Sequence, residues 1–338
     1  MIRPLLLTLA LALPCFAHAQ TKSETIEDIV SNQILPELQQ FQKQALGLAD
    51  LKDQLCHPTA PQVQSQFHDA MDAWLSVSVF RFGPMNTNDR GFALGFWPDT
   101  RGATPKALRR LIQEEDAIAQ NSDTYGEVSV AARGFYALER LIYDPEMIAL
   151  GTDAYRCQLI QTIAADISRM STGLLGDWQT GFADVMTTPS SSGIYQSDDD
   201  ALRQLFNALT TGLQFDSETR LGRPLGTFDR PRPKRAEMWR ANRSVQNVSH
   251  SLHALEALSL RLAHSDPVLT TKLSKAFADT FGRLSALNDP TFSGVSTPQT
   301  RLKIEVIQQS IDIIRSIVSQ DLGPTLGVAA GFNSLDGD

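Results

Sequence analysis

Apolar residues recur every three or four positions along most of the chain, which is the spacing of one face of an α-helix. Runs of alternating Val, Ile and Thr between turn residues, the pattern of half-buried strands, are nearly absent. The periodicity therefore predicts an all-α fold. In the first predicted helix the apolar face consists of Ile26, Ile29, Val30, Ile34, Leu35, Leu38 and Phe41.

The predicted helices are separated by segments rich in Gly, Pro, Ser and Asn, and this organisation is typical of helical bundles. We predict one bundle over 20–195 and a second over 196–338, with the Ser/Pro/Thr/Gly-rich segment 187–197 between them. The predicted helices cover Ser23–Leu48, Pro61–Phe82, Thr104–Glu114, Asp116–Asn121, Glu127–Tyr143, Asp153–Leu174, Asp198–Thr219, Arg235–Ala263, Pro267–Leu287 and Pro298–Ile317.

Two connections stand out. The long segment 83–102 carries Phe92, Phe96 and Trp97, so we expect it to pack on the bundles, either lining a site or serving only as a cap. The segment 222–233 is an irregular loop rich in Pro, Gly and Arg. A weak internal repeat relates the two halves, because 134–141 and 251–258 share the pattern Ala-Leu-Glu-x-Leu.

The first residues have the form of a secretory leader. Arg3 precedes a short apolar run, and Ala-His-Ala (17–19) is a small-x-small cleavage signal. The run is too short to span a bilayer, which takes ~20 residues. We predict cleavage after Ala19 and export to the periplasm. Lipidation of Cys15 is the alternative, and Pro14 directly before it argues against that.

Composition narrows the possibilities further. A hydrophobic fraction of 42% is normal for a folded core, and a net charge of -8 disfavours nucleic acid and anionic membranes as partners. After export, Cys56 and Cys157 remain. In an oxidising compartment they are expected to form a disulfide that closes a loop of about 100 residues and contributes roughly 4–5 kcal/mol. The alternative is two buried thiols.

The helix around residue 139 carries one candidate site. Tyr136, Glu139 and Tyr143 share a helix face, so a carboxylate lies between two phenols and could bind a cation or organise a hydrogen-bond network. The alternative is an exposed Glu139 paired with an arginine such as Arg140 or Arg133.

The second half carries two more candidates. His253 and Glu256 are one helical step apart and could ligate a transition metal, although a structural role for His253 is equally compatible with the sequence. No HExxH motif occurs in the chain. Upstream, we expect an anion-binding edge on a helix, because arginine forks match carboxylates; the alternative is a solvated helix end. Its residues are Trp239, Arg240, Arg243 and Ser244.

Four segments, taken in order, resemble the imelysin family. They are Arg-Phe-Gly-Pro (81–84), Phe-Trp-Pro-Asp (96–99), Gly-Phe-Tyr-Ala-Leu-Glu (134–139) and Arg-Pro-Lys-Arg-Ala-Glu-Met-Trp-Arg (232–240), the last followed by Asn-Arg-Ser. The resemblance implies two helical bundles with a site between them, a periplasmic or surface location and a link to iron uptake. The family's GxHxxE motif falls on Gly134, Tyr136 and Glu139, so tyrosine stands where the motif has histidine.

Three functions remain open at this point. The first is a periplasmic accessory of iron acquisition that binds iron, another divalent metal or an iron-bearing ligand, with components of iron transport as partners. The second is a metal-dependent peptidase, which the replacement of the motif histidine by Tyr136 disfavours, and the third is a structural domain. Under the first, the ligand would contact Arg81, Trp97, Tyr136, Glu139, Trp239, Arg240, Arg243 and Ser244, and a metal would use Glu139, His253 and Glu256.

Overall fold

The computed structural model describes residues 21–328, so the predicted leader and its cleavage site lie outside the described residues. Over this range the chain is built from α-helices and short 3₁₀ and π turns, which confirms the predicted all-α fold. In chain order the α-helices are α1 (Lys22–Ile29), α2 (Leu35–Ala49), α3 (Pro61–Val77), α4 (Arg90–Leu94), α5 (Ala103–Glu114), α6 (Gly134–Tyr143), α7 (Pro145–Ile148), α8 (Asp153–Asp177), α9 (Ala183–Thr187), α10 (Asp198–Gln214), α11 (Gly222–Leu225), α12 (Ser244–Leu262), α13 (Pro267–Ser285), α14 (Pro298–Ile317) and α15 (Gly323–Leu326).

Several long helices continue through a π-helical turn instead of ending. Such turns join α1 to α2, α8 to α9, α10 to α11, and α14 to α15. For this reason the segments predicted to end at Leu174 and Thr219 extend to Thr187 and Leu225. The start of α1 has a capping box: the Thr21 hydroxyl accepts a hydrogen bond from the Glu24 amide, and the Glu24 carboxylate accepts one from the Thr21 amide.

Two predicted helix starts are wrong. The helix predicted from Glu127 begins at Gly134, and the helix predicted from Arg235 begins at Ser244. In the second case Met238 and Asn242 have positive φ, so this segment is irregular. The reason is tertiary: Glu237 is buried and accepts hydrogen bonds from three other elements, which hold the chain away from a helical path.

The helices pack in two neighbouring groups that share one continuous apolar core. In the first group α2 packs against α3 and α8, and α6 packs against α8. In the second, α12 packs against α10 and α13, and α13 packs against α14. Contacts of α12 with α3, and of α1 with α10 and α12, join the groups. A division into two bundles near residue 195 stays a prediction.

The predicted disulfide is present. Cys56, in the 3₁₀ turn after α2, is bonded to Cys157 near the start of α8, and their Cα atoms are 4.4 Å apart. The disulfide ties the connection between α2 and α3 to α8, the longest α-helix of the first group. Within the described range, no helix is both long enough and apolar enough to cross a bilayer.

Candidate functional site

The position of α6 depends on its first residue. Gly134 has φ +68°, and a Cβ there would lie 2.1 Å from the carbonyl oxygen of Ala93. Only glycine tolerates both this backbone conformation and this close approach. The connection 83–102 is thus not a simple loop: it contains α4, which lies directly against the start of α6 and fixes where Glu139 points.

Glu139 is buried, with 4% of its surface exposed, and its Oε1 atom has no hydrogen-bond partner among the described residues. Burial raises the pKa of Glu139 to about 7, although Arg240 and Arg140 and the backbone amides of Arg240 and Ala241 act in the opposite direction. A buried carboxyl group with an unsatisfied oxygen is uncommon in folded proteins and calls for an explanation such as a ligand or ion.

Glu139 lines a small cavity of about 110 Å³ whose walls are strongly basic. Five cationic side chains line it, compared with two acidic ones, Glu139 and Asp99. Both carboxylate oxygens of Asp99 accept hydrogen bonds from backbone amides at the start of α5. We call this space the cationic cavity. Its basic lining residues are Arg140, Arg223, Lys234, Arg235 and Arg240.

Two more unsatisfied atoms border the cationic cavity. The Thr104 hydroxyl and the Arg223 Nε are buried without a hydrogen-bond partner, as is Glu139 Oε1. Burial and, to a smaller extent, repulsion from Arg235 lower the pKa of Arg223. Burial and repulsion from Arg140 likewise lower the pKa of Arg240. The cavity therefore concentrates positive charge and unused polar atoms in a protein whose net charge is -8.

Arg240 and Trp239 form one side of the cationic cavity. The Arg240 guanidinium lies 4.3 Å from the centre of the Trp239 ring, and its Nε donates to Asp144 at 3.0 Å. Asp144 also accepts a hydrogen bond from Arg140 at 2.8 Å. These contacts hold both arginines in place at the rim.

Trp97 and Tyr136 also line the cationic cavity, with ring planes 12° apart and ring centres separated by 6.4 Å. Both residues also line a second cavity of about 310 Å³, which we call the aromatic cavity. Arg81 and Phe215 belong to the aromatic cavity only. Six of the eight residues expected to form one ligand site are thus divided between two adjoining cavities.

A buried hydrogen-bond network holds Tyr136, which lines both cavities. The Tyr136 hydroxyl donates to Glu237 Oε1 at 2.5 Å, and Glu237 Oε2 accepts from Arg220 at 2.8 Å and from Asn247 at 2.9 Å. Arg220 lowers the pKa of Glu237, while burial and the Glu237 charge raise the pKa of Tyr136 well above its ordinary value. Tyr136 is consequently a neutral hydrogen-bond donor whose ring is fixed in place.

Arg243 and Ser244 line neither cavity. Arg243 is fully buried and donates to His68 Nδ1 at 2.7 Å, to Asn247 Oδ1 at 2.7 Å and to Asp72, which ties α12 to α3. The Ser244 hydroxyl donates to the Glu237 carbonyl at 2.6 Å. Both residues thus stabilise the irregular segment before α12 without contributing to either cavity.

The structure does not bring the predicted metal residues into one place. His253 lines a separate open groove, and its ring stacks on Phe281 at 4.0 Å. Its Nδ1 lies 3.7 Å from Glu256, while Glu139 lines the cationic cavity. Across residues 21–328, no group of three His, Cys, Asp or Glu side chains is arranged to hold a metal ion.

Several residues of the site were not predicted from the sequence, among them Glu237, Arg220, Arg223, Lys234 and Arg235. Glu237 stands between two basic residues and a Met-Trp pair, where a surface position is the ordinary expectation. Arg223 belongs to the segment 222–233, whose arginines were visible but whose position relative to Glu139 was not. The excess of arginine in that loop was the one available signal.

The fold and the site define an all-α protein with two adjoining cavities, one basic and one aromatic. The profile of the imelysin family, also labelled peptidase M75, matches residues 34–317, and the chain belongs to this family. Over 335 residues it is 21% identical to Iron-regulated protein A of Synechococcus elongatus, covering 91% of this chain and 87% of that protein.

Two solved structures share the fold. An imelysin-like protein from Psychrobacter arcticum 273-4 superposes with a TM-score of 0.76 at 20% identity, covering 93% of this chain and 98% of the other. A candidate iron-regulated protein A precursor from Parabacteroides distasonis superposes with a TM-score of 0.72 at 11% identity, covering 90% and 97%. At these identities the likeness concerns the fold.

Proposed function

We propose that this protein is an exported accessory of iron acquisition that binds iron as an anionic, oxygen-rich chelate, with the anionic arms of the chelate in the cationic cavity. The observation that carries the proposal is one cavity lined by five basic side chains and by three buried polar atoms that lack partners, one of which is the Nε of Arg223 itself. The link to iron is supported by family membership and by the relative named Iron-regulated protein A.

The lining favours an anion over a bare metal cation. Carboxylate groups match the guanidinium forks of Arg223, Arg235 and Arg240. A free divalent ion would instead meet an excess of positive charge, because the two acidic side chains are outnumbered. Ferric ion is hard and prefers anionic oxygen donors, so a chelate would bring its own oxygen ligands and present negative charge to the protein.

The unsatisfied atoms favour a hydroxycarboxylate among such chelates. Glu139 Oε1 can accept a hydrogen bond from a hydroxyl group, and the Thr104 hydroxyl can donate or accept. Arg223 Nε has an N–H to donate to a carboxylate. Because a cavity of about 110 Å³ is small, we expect it to hold one or two arms of the chelate, with the metal nearer the mouth.

Substitutions at the exposed rim test the proposal without disturbing the core. The double variant Lys234→Gln and Arg235→Gln removes two lining charges, and the matched control Arg230→Gln and Arg232→Gln removes two exposed charges from the same loop that do not line the cavity. Ferric citrate affinity, measured by calorimetry, should fall at least about tenfold in the first variant, since charge-assisted hydrogen bonds contribute about 1.5–3 kcal/mol each.

The control pair should change that affinity by less than about twofold, an effect of the size expected from long-range charge alone in moderate salt. Equal losses in both double variants would show that only net charge matters and would refute a specific site. The proposal would equally fail if the wild-type protein did not bind ferric citrate.

A further inference from the structure

The aromatic cavity has a composition different from that of the cationic cavity. Rings of Trp74, Trp97, Tyr136 and Phe215 line it, and its volume is about 310 Å³. This volume is at the lower end of the range for small-molecule sites, which starts near ~300 Å³. Such a space fits a molecule of one or two rings.

Arg81 is the cationic group of this cavity that has no acidic partner. Its Nε donates to the Ser78 carbonyl at 3.2 Å, and its guanidinium lies 4.3 Å from the centre of the Phe215 ring. These two contacts fix the plane of the guanidinium. Among residues 21–328 no carboxylate lies within ion-pair distance of Arg81, and the side chain is exposed although it lines a cavity.

Arg220 provides the internal comparison, because it lines the same cavity with its charge compensated. It pairs with Asp216 at 2.5 Å and with Glu237 at 2.8 Å. Arg81 therefore presents free N–H donors and a positive charge to the space between the rings, and Asp89, an acidic side chain that also lines the cavity, is not within ion-pair distance of it.

We propose that the aromatic cavity is a second ligand site, and that it binds a small aromatic carboxylate with the carboxylate on Arg81 and the ring against Trp97 and Phe215. A guanidinium takes a carboxylate through two parallel hydrogen bonds, and an aromatic ring gains further free energy by stacking on other rings. Phe92, which is 61% exposed, lines the same cavity and offers an additional ring to the ligand.

The inference does not depend on the proposed binding of an iron chelate. Arg81 and Phe215 do not line the cationic cavity, and none of the five basic side chains of the cationic cavity lines this one; the two cavities share Trp97 and Tyr136. Binding of an aromatic carboxylate should therefore survive Lys234→Gln and Arg235→Gln, which are designed to weaken chelate binding.

Tryptophan fluorescence offers a direct measurement, because two of the four tryptophans line the aromatic cavity. The mature protein would be titrated with benzoate and 2-naphthoate, with benzamide as the neutral probe of similar shape. We expect saturable quenching by the carboxylates and at least about tenfold weaker binding of benzamide. Calorimetry would confirm the affinities.

Arg81→Met should weaken carboxylate binding at least about tenfold and leave benzamide binding within about twofold. Arg101→Met, which removes an exposed arginine outside the cavity, is the matched control and should have no effect. Arg81→Lys keeps the charge but loses the fork, so an intermediate loss is expected, and this variant serves as the test if Arg81→Met does not fold. The proposal is overturned if no carboxylate binds at millimolar concentration, or if carboxylate binding is undiminished in both Arg81→Met and Arg81→Lys.

Discussion

Two helices of this protein carry the sequence Ala-Leu-Glu, and their glutamates lie in opposite environments. Glu139 on α6 is 4% exposed, has an unsatisfied oxygen and borders the cationic cavity. The side chain of Glu256 on α12 is 22% exposed and lies 3.7 Å from His253, itself 60% exposed. The same local sequence thus gives a buried, ligand-accessible carboxyl group in one half and an ordinary surface pair in the other.

The difference is produced by what covers each helix. The irregular segment before α12 lays its 3₁₀ turn Trp239–Ala241 against α6, bringing two backbone amides and Arg240 towards Glu139. The corresponding face of α12 meets Phe281 of α13 and open solvent. The environment of the glutamate is therefore set by a segment distant in sequence and not by the helix motif itself.

The largest expected effect concerns the first residue of each repeat, Gly134 and Ser251. Gly134→Ala should lower the free energy of unfolding by at least about 3 kcal/mol, because a left-handed alanine costs roughly 1–2 kcal/mol and the new Cβ meets the Ala93 carbonyl. Ser251→Ala removes one hydrogen bond from Arg220 and should cost about 1.5 kcal/mol. Urea unfolding of both variants measures the contrast, and equal losses would contradict the close approach at Gly134.

The second prediction concerns pH. The pKa of Glu139 is raised from 4.5 to about 7, so between these values the folded state binds a proton that the unfolded state has lost. The protonated Glu139 therefore favours the folded state at low pH, and this contribution to the free energy of unfolding is lost as pH rises from about 5 to 8. The free-energy difference between wild type and Glu139→Gln should change by about 2–3 kcal/mol over that interval, in favour of the variant at high pH.

Glu256→Gln is the matched control for the pH experiment. Burial raises the pKa of Glu256 as well, and His253 opposes that rise. Because the Glu256 side chain is 22% exposed and has this partner, the difference between wild type and Glu256→Gln should vary less with pH than the difference for Glu139→Gln. Comparing each variant with wild type also cancels the contribution of Glu37, whose pKa burial raises to about 8. Parallel curves for both variants would contradict the contrast between the two glutamates.

The smallest effect is expected at His253. His253→Ala removes a half-exposed ring that stacks on Phe281 and should change stability by less than about 1 kcal/mol. It should leave ferric citrate affinity unchanged, since His253 does not line the cationic cavity. A loss of iron binding in this variant, measured by calorimetry, would restore the predicted metal role of His253 and Glu256.

Much of the fold could be predicted from the sequence because helix periodicity is a local signal. The all-α class and most helix cores follow from it, and the disulfide follows from two cysteines in a chain predicted to be exported. The errors occur at Gly134 and at 235–243, where tertiary contacts override propensity. Glu237 is the clearest case: its buried hydrogen bonds to Tyr136, Arg220 and Asn247 cannot be read from its neighbours in sequence.

The site was predictable in its parts but not in its arrangement. Trp97, Tyr136, Glu139 and Arg240 line one cavity, and their role as ligand-binding residues stays a prediction. Arg243, in contrast, is also an arginine and lies only three residues after Arg240, but it is buried and its hydrogen bonds join α12 to α3. Which arginine faces a cavity depends on the positive-φ residues at 238 and 242, whose conformations the hydrophobic pattern does not encode.

Equilibrium dialysis with iron quantification tests the central claim most directly. The mature protein would be dialysed against ferric citrate, against ferrous iron without a chelator under anaerobic conditions, and against iron-free citrate. The cationic cavity predicts near-stoichiometric retention of iron from ferric citrate, lost in the Lys234→Gln and Arg235→Gln variant, and little retention of ferrous iron alone. Stoichiometric retention of ferrous iron that is abolished by Glu139→Ala and unaffected by the rim variant would contradict the account, because it would make Glu139 a ligand of the metal itself.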